Sequence, residues 1–263
     1  IKSPTDLNVI DVMSHSWVGL FMGADMESIL GGYQDPRIAK YWNTSKITPG
    51  EYKGVRTGIV YPSGSTYSKF SQTGPRTKTG EITWMSTAEV YFLRAEGALR
   101  GWNMGGTAQS LYEMGITASF AQHGISGANA YYADNVKTAK NFVDVKDAAN
   151  NGTAVNNVTI AWDNAANNEV KLQKIITQKW IANFPEGQEA WSEFRRTGYP
   201  KLFRAIHNTS GGTITTQFGP RRVNYPQSEK DGNPNGLATG LTLLGGPDNG
   251  GTRLWWDTTG ANF

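Results

Sequence analysis

The segment that decides the fold, residues 86–120, reads STAEVYFLRAEGALRGWNMGGTAQSLYEMGITASF. It opens with Ser86 and Glu89 in the S-x-x-E spacing of a capping box, which satisfies backbone donors at a helix start. The apolar side chains that follow recur at steps of three and four, the period of one helix face. They are Ala88, Tyr91, Phe92, Ala95, Leu99 and Trp102. This pattern predicts a helix with one ring-rich stripe, ended by Gly101.

The second half of the segment predicts another helix. Thr107 is a suitable N-cap, and Gly124 is a suitable stop. The apolar and small positions between them keep the helical spacing: Ala108, Leu111, Tyr112, Gly115, Ile116, Ser119 and Phe120. Because the link between the two helices is short, they must fold back on each other as an antiparallel hairpin.

A third strong stripe lies further along the chain, at Leu172, Ile175, Ile176, Trp180 and Phe184. Pro185 must break this helix, and it is expected to open the next one as its first residue. Glu186 and Glu189 would then lie favourably near the positive end of the new helix, which Gly198 and Pro200 close. Trp102, Trp180 and Trp191 are expected on core-facing stripes.

Weaker signals predict two more helices. One spans about residues 23–30 and is expected to end at Gly31 and Gly32, and the other lies near residues 129–139. Residues 140–166 are rich in Asn, Ala, Thr and Asp and are expected to form a long loop with a short strand at most.

These elements predict a single domain over residues 1–263. It would have an aromatic, loop-rich region at 1–80, a helical body at 81–200 and a tail at 201–263 that wraps the body. In the tail, Trp255 and Trp256 are expected to seal it against the helices. The fold class is mainly α, with helical hairpins, long ordered loops and little β structure.

Composition narrows the function classes. The formal charge of +3 is spread without a Lys/Arg block, which argues against nucleic acid and against an anionic membrane surface as partners. The absence of cysteine excludes disulfides and thiolate chemistry. No apolar run approaches a membrane-spanning length, and no signal peptide is recognisable. The start at Ile1 suggests a processed or truncated N-terminus.

Five segments together resemble the SusD/RagB family of outer-membrane nutrient-binding lipoproteins. The hairpin sequence AEVYFLRAEGALRGWNMGG and the stretch IITQKWIANFPEGQEAWSEFRRTGYPKL carry the two most specific similarities. ADMESILGGYQDPRIAKYW precedes them, and RRVNYPQSEKDGNPN with GGPDNGGTRLWWD follows them, in the order of the family. The resemblance covers about residues 24–257 and is greatest to the C-terminal portion of the SusD-like branch.

The resemblance implies a tetratricopeptide-like helical superhelix that binds glycans at the cell surface without catalysis. It implies a SusC-like TonB-dependent porin as the partner that receives the glycan. It also implies an outer-membrane location through a lipid anchor that is missing from this chain. Peptide binding, or a purely scaffolding role in the same kind of transporter, stays open as an alternative.

A catalytic function is less favoured by the sequence than glycan binding. Glycan hydrolysis uses two carboxylic acids about 5 to 9.5 Å apart. Glu186, Glu189 and Glu193 are expected to serve helix-end electrostatics and ion pairs with Arg195 and Arg196.

The glutamates of the first hairpin helix are also expected to have structural roles. Glu89 belongs to the helix cap, and Glu96 is expected to pair with Arg100. A glycoside hydrolase built on two of these glutamates therefore remains the least favoured alternative.

No cofactor or metal is expected. His15, His123 and His207 are far apart in the sequence, and no phosphate-binding loop is present. The stretch from Asp231 copies the opening of a calcium loop, but Thr242 stands where the bidentate Glu belongs. A turn is the favoured interpretation there.

Aromatic side chains in the loops are the candidates for glycan binding. Their rings can stack on the apolar faces of sugars, while polar groups nearby bond the hydroxyls. The predicted ligand-binding residues are Tyr41, Trp42, Tyr52, Arg56, Tyr61 and Tyr67. Each could instead be a packing anchor, which is the more common role of such rings.

Overall fold

The computed structural model describes residues 20–60, 66–74 and 83–263. Nine α-helices occur in these residues, and the predicted mainly α class is confirmed. They are α1 Ala24–Tyr33, α2 Ile38–Tyr41, α3 Thr87–Leu99, α4 Ala108–Gln122, α5 Ala128–Tyr132, α6 Asn168–Ala182, α7 Gly187–Thr197, α8 Gln227–Gly232 and α9 Pro234–Leu244. A short 3-10 helix spans Ala148–Asn150. The β structure in the same residues consists of isolated bridges, such as Trp42 with Thr73.

The hairpin of α3 and α4 forms as its sequence predicts. Ser86 Oγ accepts a hydrogen bond from the Glu89 backbone N–H at 3.0 Å, and Thr107 Oγ1 accepts one from Ser110 at 3.1 Å. All of the predicted α4 stripe except Ala108 is buried. The helices approach so closely at Gly115 that a Cβ there would lie 2.6 Å from the Phe92 ring. A glycine is therefore required at that crossing.

Helix α6 packs against both helices of the hairpin and completes a three-helix body. Leu172, Ile175 and Ile176 of its predicted stripe are buried in the core. None of the helices in the described residues is long and apolar enough to cross a membrane.

Helix α7 begins two residues later than predicted. Glu186, not Pro185, precedes its first turn as the N-cap, and the helix starts at Gly187. Buried Lys179 on α6 holds α7 in place, with its Nζ 2.7 Å from Glu189 Oε1 and 2.9 Å from Glu193 Oε1. Glu193 also pairs with Arg196 at 2.6 Å, as the sequence predicts. Glu189 pairs with Lys179 instead, and Arg195 bonds the Arg221 carbonyl.

Two predicted helix ends are wrong. Helix α1 continues through Gly31 and Gly32 because these glycines serve close packing: a Cβ on Gly32 would lie 2.2 Å from the Thr138 carbonyl oxygen. The predicted helix at 129–139 is reduced to α5, because Asp134 Oδ1 instead accepts backbone hydrogen bonds from Val136 and Lys137. Such Asx contacts compete with helical backbone bonds.

The tail contains more regular structure than its sequence suggests. Helices α8 and α9 both lie within it, although none of their side chains is buried. Asn233, part of the candidate calcium loop, accepts a hydrogen bond from Gly236 at the start of α9. The tail also contacts the body, where Asn262 bonds Glu169 of α6.

Two tryptophans do not lie where the sequence places them. Trp102 is 63% exposed, because the chain leaves the helical path at Gly101, whose φ is +86°. Trp255 is 91% exposed and does not seal the tail. Trp256 is partly buried, and its ring lies 4.8 Å from the Arg195 guanidinium.

Replacing Gly115 by Ala should destabilise the chain by about 1 to 3 kcal/mol, because the added methyl group overlaps the Phe92 ring. Urea unfolding measures the change. Gly187→Ala is the matched control: space around it is open and it lies in a helix, so it should leave stability unchanged or raise it by up to about 1 kcal/mol. Equal stabilities for the two variants would contradict the close crossing.

Candidate binding cleft

An aromatic pocket of about 370 Å³ opens between α6 and α7. Its walls are apolar apart from a single glutamate. They consist of Met26, Trp180, Phe184, Pro185, Glu186, Gly187, Ala190, Trp191, Phe194 and Leu202. This volume lies within the range of small-molecule sites, and four of the walls are aromatic rings.

The local fold explains how these rings come together. Trp180 lies at the end of the α6 stripe, and Phe184 lies in the link that turns the chain into α7. Trp191 and Phe194 are three residues apart and so share one face of α7. Trp191 is fixed by a hydrogen bond from its Nε1 to the Pro220 carbonyl at 3.0 Å. The pocket walls are therefore held by helices and by the tail.

Two of the predicted ligand residues lie behind this pocket. The Tyr41 ring centroid is 4.8 Å from that of Phe184, and the Trp42 centroid is 4.9 Å from it. Both residues are buried, so the expectation that they present open ring faces is wrong. The Trp42 Nε1 has no acceptor in the described part of the chain. In this chain both rings support the Phe184 wall.

The other predicted residues are scattered. Tyr67 is buried and donates its hydroxyl to Asp144 Oδ2 at 2.9 Å, and burial together with that carboxylate raises the pKa of Tyr67 to about 12. Tyr52 is half-buried against the core. Tyr61 lies outside the described residues. Arg56 lines the polar cleft beside the aromatic pocket.

This polar cleft has a volume of about 640 Å³ and shares Phe194 and Leu202 with the aromatic pocket. Arg56 crosses it, donating to the Arg204 carbonyl at 2.8 Å, with its guanidinium 4.5 Å from the Phe203 ring centroid. Amide and hydroxyl side chains, among them Gln217 and Thr259, line the cleft as well. Rings and hydrogen-bonding groups therefore adjoin each other, as a sugar requires.

Asp25 of α1 forms a hydrogen bond with Phe203, a residue that lines the cleft. Its Oδ1 accepts a hydrogen bond from the Phe203 backbone N–H at 2.7 Å. Burial raises the pKa of Asp25 to about 6, although this hydrogen bond and the charge of Arg56 act in the opposite direction. The carboxylate is therefore ionised at neutral pH and becomes protonated in mild acid.

The sequence places Trp180 and Trp191 on core stripes. Trp180 does pack against the core, but both rings are only partly buried and line the pocket. The sequence of α7 contains a feature that could have predicted the exposure of Trp191. Trp191 and Phe194 are large rings on a helix with few other apolar residues, so they have little core of their own to join.

The carboxylates of Glu89 and Glu96, which the sequence offers as catalytic candidates, are held in ion pairs. No group of three His, Cys, Asp or Glu side chains there could hold an ion. Glu89 Oε1 lies 3.6 Å from the Lys179 ammonium. Glu96 bonds Arg196 at 2.7 Å and, as predicted, Arg100 at 2.9 Å. Each of these carboxylates therefore faces a cation.

The fold and the cleft define a helical binding protein. A family model described as the Susd and RagB outer membrane lipoprotein matches residues 1–257, and the chain belongs to this SusD-like family. Members of this family are non-catalytic carbohydrate-binding lipoproteins of the outer membrane, which is the class of protein that the sequence predicts.

Solved structures agree with the family. A chitin-binding SusD homologue from Flavobacterium johnsoniae is 64% identical with a TM-score of 0.98, over 100% of this chain and 55% of that one. A SusD homologue from Bacteroides vulgatus is 39% identical with a TM-score of 0.93, over 100% of this chain and 54% of the other. This chain thus spans about half the length of these structures. No curated protein matches it.

The pKa of Asp25 predicts a measurable pH dependence. The carboxyl group keeps its proton up to about pH 6 in the folded chain but only to about pH 3.8 in the unfolded chain. The contribution of this group to the unfolding free energy is therefore fully present below about pH 3.8 and is lost as the pH rises through about 6. Relative to Asp25→Asn, the wild type should lose roughly 2 kcal/mol of unfolding free energy between about pH 4 and 7. Denaturant unfolding at both pH values measures this, and parallel curves for the two proteins would contradict it.

Proposed function

We propose that the chain takes part in the non-catalytic binding of chitin or closely related glycans, with the aromatic pocket as the sugar-binding surface. The observation that carries this proposal is the pocket itself, four rings beside a cleft of hydrogen-bonding groups. The chitin-binding name of the 64% identical homologue supports the choice of ligand.

The chemistry of the pocket suits an N-acetylated sugar. Indole and phenyl faces stack on the C–H faces of a pyranose ring, and the apolar walls can accept an acetamide methyl group. The neighbouring amides, hydroxyls and guanidinium can bond the sugar hydroxyls and carbonyl. Because the rings are held by helix packing and by the Trp191 hydrogen bond, little ordering is needed when the ligand enters.

We further propose, from family membership, that the whole protein delivers its ligand to a SusC-like TonB-dependent porin at the outer membrane. In this proposal a lipid anchor outside these 263 residues holds the protein at the membrane. Tyr52, Tyr61 and Arg56 remain proposed ligand contacts, with Arg56 acting from the polar cleft.

A peptide ligand is the second candidate. An apolar groove of about 580 Å³ along α3, lined in part by Met85, Val90, Leu93 and Trp102, supports it. These side chains are exposed, and such grooves suit the apolar anchors of a peptide.

Trp191→Ala should weaken the binding of chitin oligosaccharides roughly five- to thirtyfold, because it removes about 1 to 2 kcal/mol of ring contact. Isothermal titration calorimetry with the N-acetylglucosamine tetramer measures the change. Trp191→Phe keeps a ring and should recover part of the affinity.

Trp102→Ala is the matched control, since this exposed indole lies outside the pocket. It should leave chitin affinity unchanged. Equal affinity of Trp191→Ala and wild type would remove the pocket assignment. Loss of affinity for a peptide in Trp102→Ala would instead support the second candidate.

A further inference from the structure

The polar cleft beside the aromatic pocket is lined by basic side chains without acidic ones. Seven Lys and Arg residues line it, and no Asp or Glu does so among the residues that the structure describes. The formal charge of the whole chain is only +3, so this concentration is local. A cavity lined by one sign of charge attracts ligands of the opposite sign.

Some of these positive charges have fewer carboxylate partners than there are cations. Arg221 and Arg253 share a single carboxylate, Asp257, with Arg221 Nε 2.6 Å from Oδ2 and Arg253 Nη1 2.6 Å from Oδ1. Arg195 lies beside them and bonds the Arg221 carbonyl at 2.8 Å. Burial lowers the pKa of Arg195, and the charge of Arg221 lowers it further against the pull of Asp257. Asp257 thus pairs with two guanidiniums, and a third, that of Arg195, lies close to this pair.

Two more cations reach the cleft from an exposed segment. Lys201 and Arg204 are both exposed and line the cleft, and neither has a carboxylate within ion-pair distance among residues 20–60, 66–74 and 83–263. The Lys201 ammonium lies 4.5 Å from the Tyr199 ring centroid, which positions it without neutralising it. These two side chains are free to meet an incoming anion.

Arg56 adds an unsatisfied donor. Its Nε is buried and has no acceptor in the described part of the chain, although its terminal nitrogens bond backbone carbonyls. Burial lowers the pKa of Arg56 against the attraction of Asp25. A buried donor without a partner costs free energy that an added acceptor can recover.

We infer that the polar cleft binds an anionic group, a carboxylate or a sulfate, carried by the glycan whose sugar ring occupies the adjoining aromatic pocket. The inference rests on the proposed function for the nature of the ligand, and it adds an acidic substituent to it. Lys201 and Arg204 supply the charge, and the shared wall at Phe194 and Leu202 places both subsites on one ligand. Both anions accept charge-assisted hydrogen bonds from such cations.

The test compares three tetrasaccharides that all contain N-acetylglucosamine, by calorimetry on the whole chain. The chitin tetramer is neutral, hyaluronan carries only carboxylates and keratan sulfate carries only sulfates. We expect at least one acidic ligand to bind about tenfold or more tightly than the chitin tetramer, with an affinity that falls as salt is added. The better acidic ligand identifies the anion.

Lys201→Gln/Arg204→Gln should cost about tenfold or more in affinity for that acidic ligand and leave chitin affinity unchanged. Lys40→Gln/Lys146→Gln removes the same charge from exposed positions outside the cleft and should change neither affinity. Acidic ligands that bind no better than chitin, or unaltered acidic binding in the cleft variant, would overturn the inference. A failure of chitin binding alone would instead count against the proposed function.

Discussion

The structure depends on one buried ion pair, between Arg37 and Asp35. The Arg37 guanidinium has no exposed surface and lies 2.6 Å from Asp35 Oδ2. It also donates to Ser119 of α4 at 3.0 Å, Tyr131 of α5 at 3.2 Å and Gln178 of α6 at 2.8 Å. Burial disfavours its charge, but Asp35 outweighs burial and the pKa of Arg37 is raised. Because a buried charge must be fully paired, this one side chain fixes the loop after α1 against three helices.

That constraint also determines where the candidate site lies. Helix α2 follows Arg37 directly and brings Tyr41 and Trp42 against Phe184, which forms a wall of the aromatic pocket. A second buried cation, Lys179, holds α7 and therefore Trp191 on the opposite side. The pocket is thus set between two elements that buried charges position, and its rings need not be ordered by the ligand.

Sequence periodicity was sufficient wherever a helix buries one face. The α4 stripe is the best example, since nearly every predicted position is buried, down to Gly115 against Phe92. It was insufficient for α9, which buries no side chain, and for Gly32, whose role depends on a backbone segment more than a hundred residues away. The residues of the candidate site were predicted only in part, because tertiary packing decides which side chains are exposed. Loop position suggested that Trp42 is open to ligand, whereas tertiary packing covers it.

The most direct test of this account is Arg37→Met, measured by urea unfolding and by amide hydrogen exchange. Leaving the Asp35 carboxylate buried without its partner should cost about 3 to 5 kcal/mol, and protection should fall together in residues 24–42, α4 and α6. Asp35→Asn/Arg37→Met removes both charges and should recover part of the loss. A cost below about 1 kcal/mol, or a loss of protection confined to residues 24–42, would contradict the central role of this ion pair.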